Sequence, residues 1–166
     1  MASTRAPRVA TIGVYGFSAE TFVVALREAG VSVVLDVRAR RGVRGSDYAW
    51  ANSKRLQATL AAAAVGYRRL PALAPTSELR ALQYRADDRA GVGKRSRVTL
   101  APEFRERYTR EILDTAELRE IVAGLPADGV WALLCVEREP QACHRSLVAA
   151  VLARECGARV VDVVPS

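Results

Sequence analysis

Histidine occurs once in this 166-residue chain, lysine twice and cysteine three times. Each scarcity excludes something. All histidine chemistry rests on His144. Three cysteines make an odd count without framework spacing, which argues against a disulfide scaffold and for reduced thiols. No apolar run reaches about 18 residues, so no membrane span is expected. No basic, apolar, small-residue leader is visible at the N-terminus, and the expectation is a cytoplasmic protein without a membrane partner. Half the residues are hydrophobic, enough for one globular domain with a real core. We expect a loose basic lead-in over residues 1–8 and a single domain over 9–166.

Acidic residues are scarce in the middle of the chain. Residues 38–110 hold 17 Lys/Arg against 6 Asp/Glu, a local excess of 11, although the formal charge of the whole is +7. Clustered cations displace counterions from nucleic acid and steer anions inward, so a basic middle fits a surface that meets phosphates. Arginine outnumbers lysine 23 to 2. That bias matches a GC-rich coding sequence and makes ordinary surface of many arginines.

Punctuation then sets the elements. Val9–Tyr15 is rich in β-formers, and Ser18 can cap a helix carrying Phe22, Val23, Leu26 and Ala29 at helical spacing, closed by Gly30. Val31–Val37 is continuously apolar, as suits a central strand covered on both faces. Asn52 or Ser53 can cap a helix through Ala64, and a short strand Tyr67–Leu70 ends at Pro71. Helices are expected over about Ser77–Asp87, Pro102–Leu113 and from a Thr115 cap to Gly124, with a polar loop over Gly91–Arg97. Val130–Val136 is a second buried strand, His144–Cys156 a helix ended by Gly157, and Arg159–Val164 the last strand. The alternation predicts a three-layer, Rossmann-like α/β domain with a mostly parallel sheet of about five strands and helices on both faces.

Ligands of such sheets bind outside the carboxyl ends of the strands. That rule selects Tyr15, Gly16 and Phe17 after the first strand, Arg38, Arg40, Arg41 and Arg44 after the second, and Glu137, Arg138, Cys143, His144 and Arg145 after the fourth. Asp36 and Arg38 lie two apart on one strand and can pair on a shared face. Arg145 at a helix N-terminus, with Ser146 beside it and free backbone N–H groups, makes an anion site. Cys143 lies at the same end, where a thiolate is favoured. Cys135 ends a buried strand and is either a nucleophile or a packed thiol. Asp36, Glu137 and His144 are the candidate acid–base groups.

In this order, Thr11-Ile12-Gly13, Leu35-Asp36-Val37-Arg38 and Cys135-Val-Glu-Arg followed by Cys143-His144-Arg145-Ser146 resemble the family catalogued as domain of unknown function 488. The resemblance covers nearly the whole chain, and the Cys…Cys-His-Arg-Ser segment is its best marker. Many members carry a polar residue, often histidine, directly after Thr-Ile-Gly, where this chain has Val14-Tyr15-Gly16. The resemblance implies a fold and a site location but no established reaction.

Three sharper motifs fail. Structural zinc wants four ligands, yet Cys156 lies about 18 Å along the helix from His144 at 1.5 Å per residue. Cys135, Cys143 and His144 could form a three-ligand site, but the expectation is no metal and no cofactor. Gly91-Val-Gly-Lys-Arg-Ser96 is not a P-loop, since Asp88 and Arg95 stand where glycine and Ser/Thr are required. Gly13 and Gly16 lack the third glycine of a dinucleotide fingerprint.

The reading that follows is a strand-end anion site that binds or processes a phosphate-bearing ligand, either a nucleotide or nucleic acid. Its residues are Arg38, Arg41, Arg44, Arg138, Arg145, Ser146 and Tyr15, with Asp36, Glu137, Cys143 and His144 as hydrolase or transferase groups. One alternative is a cysteine-dependent enzyme similar to rhodaneses or phosphatases. Against it, nine residues separate Cys135 from Arg145 and one separates Cys143 from it, where those enzymes hold about five between thiol and arginine. The other is a non-catalytic nucleic-acid-binding module using the basic middle, with Tyr15, Tyr48 and Trp50 available to stack on bases. Oligomeric state is not encoded in any feature found.

Overall fold

A computed structural model describes residues 6–166. Five strands, β1 (Arg8–Gly13), β2 (Val31–Asp36), β3 (Gly66–Arg69), β4 (Val130–Cys135) and β5 (Arg159–Val163), form one sheet in the order β3-β2-β4-β1-β5. Every pairing is parallel. The fold is the three-layer, Rossmann-like α/β arrangement expected from the alternation of elements. Of the lead-in expected over residues 1–8, residues 1–5 lie outside the described residues, and Arg8 already opens β1.

The three central strands are the apolar ones. β4 is buried at all six positions and β2 at five of six, whereas β3 and β5 at the edges are mostly exposed. Continuous burial in the centre is what a parallel sheet covered on both faces demands. The helices are α1 (Ala19–Glu28), α2 (Ser53–Ala62), α3 (Ser77–Ala90), α4 (Pro102–Tyr108), α5 (Leu118–Ala123) and α6 (Arg145–Cys156). Crossovers from β1 to β2 and from β2 to β3 run one way along the sheet, those from β3 to β4 and from β4 to β5 the other. Right-handed crossovers therefore set α1 and α2 on one face and α3 to α6 on the opposite one. Strand β4 lies between β1 and β2, whose following helices leave on the face opposite to α6. Its carboxyl end is thus a topological switch point, the place where such sheets open a crevice.

Local chemistry explains most boundaries. Ser18 caps α1 with a reciprocal box, its hydroxyl accepting from Thr21 N–H and Thr21 Oγ1 accepting from Ser18 N–H. α3 runs three residues beyond the expected Asp87, to Ala90, where Gly91 closes it at φ +71°. β1 stops at Gly13 rather than Tyr15, because the N–H groups of Val14 and Tyr15 both turn to the carbonyl of Val136. The helix expected over Pro102–Leu113 is α-helical only to Tyr108 and then widens to a π turn over Thr109–Leu113. Thr115 does not cap α5. Its hydroxyl donates backwards to the carbonyls of Glu111 and Ile112, and α5 begins at Leu118. Asn52 precedes α2 without capping it, because its side-chain oxygen accepts from Val43 N–H at 2.7 Å.

Candidate functional site

The carboxyl ends of β1, β2 and β4 and the segment from α3 to Phe104 enclose a cavity of about 390 Å³. Its floor is Cys135, Cys143 and His144, with Glu137 beside them; Tyr15, Arg40, Arg44, Arg80, Tyr84 and Lys94 are among its walls. The loops after the first, second and fourth strands do converge, as the strand-end rule requires. A further wall comes from α3 and the loop over 91–97, which the strand-end rule does not select.

His144 organises the floor. Its Nε2 lies 2.8 Å from the carbonyl oxygen of Val37. A carbonyl only accepts, so Nε2 carries a proton and Nδ1 faces the two sulfurs. Both lie 3.8 Å from Nδ1, Cys135 from the end of β4 and Cys143 from the turn before α6. The edge of His144 meets the buried Tyr108 ring, whose hydroxyl donates to the Leu73 carbonyl. Burial alone would raise the Cys143 thiol, but the neighbouring Cys135 thiol and the positive charges of His144 and Arg145 outweigh it and hold the thiol well below its ordinary value. Cys135 moves the other way, pushed well above the ordinary value by burial and by the neighbouring Cys143. Burial works against a charged His144, yet the Cys143 sulfur keeps its pKa above the usual imidazole value. Burial and the same sulfur raise Glu137. The four groups are pushed in different directions because they share one desolvated corner.

Several arginines singled out in the sequence are engaged elsewhere. The expected Asp36–Arg38 pair forms, fully buried, with Arg38 Nε and Nη2 donating to the two carboxylate oxygens at 2.9 and 2.8 Å and Nη1 to the Ala51 carbonyl. Tyr67 donates to the same carboxylate at 2.6 Å. Arg38 borders the cavity with every guanidinium nitrogen already engaged, and Asp36 is held away from it. Arg145 is fully buried and donates to the carbonyls of Glu137 and Arg138 at 2.6 and 3.1 Å.

The expected free N–H groups of α6 are also taken. Arg145 N–H points at Cys143 Sγ, Ser146 N–H at the Cys143 carbonyl, and those of Leu147 and Val148 at the His144 carbonyl. The Ser146 hydroxyl donates to the Cys143 carbonyl as well. The N-terminus of α6 is thus closed by its own turn, and the anion site expected there is not assembled. Arg41 reaches Ser53 and Tyr67, and Arg138 reaches the Pro165 carbonyl; neither borders the cavity.

A network that sequence reasoning missed supports that further wall. Arg97, buried, grips Asp87 through Nε and Nη2, the latter at 2.6 Å, and reaches the Ala142 carbonyl and Glu137 Oε1 through Nη1. Gln83 donates to Asp87 and accepts from Ala101 N–H. The sequence signal for this wall is the run Lys94-Arg95-Ser96-Arg97, three cations within four residues of the polar 91–97 loop.

A family model described as domain of unknown function DUF488 matches residues 18–152. The chain belongs to the DUF488 family. The match contains the whole floor of the cavity and the Asp36–Arg38 pair. No curated protein and no solved structure matches the chain. For this DUF488 member the chemistry therefore has to be read from the cavity. Three donors, Cys135, Cys143 and His144, have ligand atoms within 4.8 Å of one another and are the group here able to hold a metal ion, among the described residues.

Proposed function

We propose that the strand-end cavity binds, and its floor processes, a phosphate-bearing ligand, a nucleotide or the exposed end of a nucleic acid. One observation carries the reading. Arg40, Arg44, Arg80 and Lys94 border the cavity and none forms an ion pair among the described residues, while Glu137 is the single carboxylate in the lining. Unbalanced cations around a concave, partly apolar space favour an anion of matching size, and about 390 Å³ is within the range of small-molecule sites. At the rim Arg95 lies over the rings of Tyr15 and Tyr48, 5.1 and 5.2 Å from their centroids. Tyr15, which lines the cavity, and Arg95 beside it offer a base a stacking surface next to those cations.

The test is stabilisation and calorimetric binding with nucleotides, single- and double-stranded DNA, RNA, phosphate and thiosulfate at two salt concentrations. Nucleotide or nucleic-acid binding that weakens with salt and drops about 10- to 100-fold in Lys94→Ala, the worth of one charge-assisted hydrogen bond, supports the reading. Binding by none of the phosphate-bearing probes overturns it.

A second reading has its own observation. Cys143 Sγ receives the Arg145 N–H at 3.5 Å and lies 3.8 Å from His144 Nδ1, the arrangement of an activated thiol. On that reading the floor is a cysteine nucleophile, and blocking Cys143 abolishes turnover without abolishing ligand binding.

A further inference from the structure

Two thiols face one imidazole nitrogen at the bottom of the cavity, and one nitrogen can balance only one thiolate. A single cation at the point where all three donors converge would balance both. We propose that Cys135, Cys143 and His144 bind a divalent transition-metal ion, zinc by donor type, with its remaining coordination position open to the cavity. The inference deepens the anion-site reading and rests on it for the identity of the group that meets the metal.

The distances carry the argument. For zinc–sulfur and zinc–nitrogen bonds of ordinary length, the edges of a tetrahedron are about 3.6 Å for S–N and about 3.8 Å for S–S. Both S–N separations here are 3.8 Å, and no pair of the three ligand atoms exceeds 4.8 Å. Shifts of a few tenths of an ångström at the S–N edges, and of at most about 1 Å at the S–S edge, complete the set. Both cysteines are free thiols.

The surroundings are those of a metal-binding histidine. A ligating imidazole normally hands its other N–H to a carbonyl or carboxylate, which fixes the ring and its tautomer. His144 does so through Nε2 to Val37 O at 2.8 Å, leaving Nδ1 for the ion. Two thiolates, a neutral imidazole and a divalent ion sum to zero charge, the state that burial favours. All three donors line the cavity, so the fourth position meets solvent or ligand, as in catalytic rather than structural zinc sites. Glu137 lines the same space outside the donor set, with Oε2 buried and without a hydrogen-bond partner. Sequence spacing ranked a metal low because it offered only three donors. Folding shows that three donors and an opening are what the cavity presents.

Metal analysis of the purified full chain, followed by Co²⁺ titration of the chelator-treated protein, decides the matter. The expected result is one ion per chain, with intense red-region d–d bands of tetrahedral Co²⁺ and sulfur-to-cobalt charge transfer in the near ultraviolet. Cys143→Ser and His144→Gln should each weaken Co²⁺ binding by more than the roughly 100-fold that second-shell changes reach, while Cys156→Ser leaves it unchanged. Circular dichroism confirms that each variant is folded, and Cys135→Ala supplies an independent ligand deletion. Sub-stoichiometric Co²⁺, an octahedral spectrum, or charge transfer that survives Cys143→Ser and Cys135→Ala overturns the proposal. Nucleotide binding is measured in parallel on chelator-treated and on cobalt-loaded protein. Co²⁺ binding without any phosphate-bearing ligand retires the anion reading alone, and ligand binding without Co²⁺ retires the metal alone.

Discussion

The Arg145 guanidinium lies 2.6 Å from the carbonyl oxygen of Glu137 and ties the turn after β4 to the first residue of α6. Its other terminal nitrogen holds the Arg138 carbonyl. One buried cation thereby fixes the backbone that delivers Glu137 to the cavity and Cys143 to its floor.

Arg145→Ala should destabilise the fold by about 3–5 kcal/mol, since two hydrogen bonds to a charged group are lost and two carbonyls are left unpaired. Urea unfolding measures this. Full stability with weakened ligand binding would instead return Arg145 to the role of an anion contact.

Gly13→Ala tests the same turn from the opposite side. A methyl at Gly13 would overlap the carbonyl oxygen of Glu137 and crowd Arg145 Nη1. The backbone would have to retreat, at about 1–3 kcal/mol, which for a chain of this size lowers Tm by roughly 2–12 °C. A calorimetric scan showing no change would mean that this close approach does not exist.

Asp36→Asn should cost about 3–5 kcal/mol, because it strips the buried Arg38 of its counter-charge. Exposed pairs give the contrast. Removing Glu106 from its contact with Arg110, both well exposed, should change stability by less than about 1 kcal/mol. Equal effects in the two pairs would show that Arg38 is not buried with its partner.

In chelator-treated protein, iodoacetamide should modify Cys143 before Cys135. The Cys143 thiol is held well below its ordinary value and Cys135 well above it. The sign follows directly: Cys143 alkylation should persist at pH values where an ordinary thiol is protonated, and fall as pH drops through the lowered pKa. Peptide mapping identifies the modified residue, and added zinc should protect it. Preferential labelling of Cys135 would reverse the assignment of the thiolate.

Much of this molecule is decided locally and so is legible in its sequence. The apolar runs at Val31–Val37 and Val130–Val136, the Ser18 cap, Pro102 at a helix start and the stops at Gly30 and Gly157 depend on neighbours within a few residues, and they yield the parallel α/β fold and the strand-end position of the cavity. The pairing of Asp36 with Arg38 is legible for the same reason, since a separation of two on a strand puts both on one face.

What tertiary structure alone decided is the occupation of each polar group. Nothing near Arg145 in the chain says that its guanidinium will be absorbed by two carbonyls, nor that the first N–H groups of α6 will close on Cys143 and His144. Nor does the local sequence bring Lys94, Arg80 and Arg97 to the end of β4, which lies far along the chain from all three. A hydrogen-bonding group in water has many partners and a buried one must take those that folding supplies. Residue types therefore announced where chemistry would gather, and packing chose which of those residues were left free to perform it.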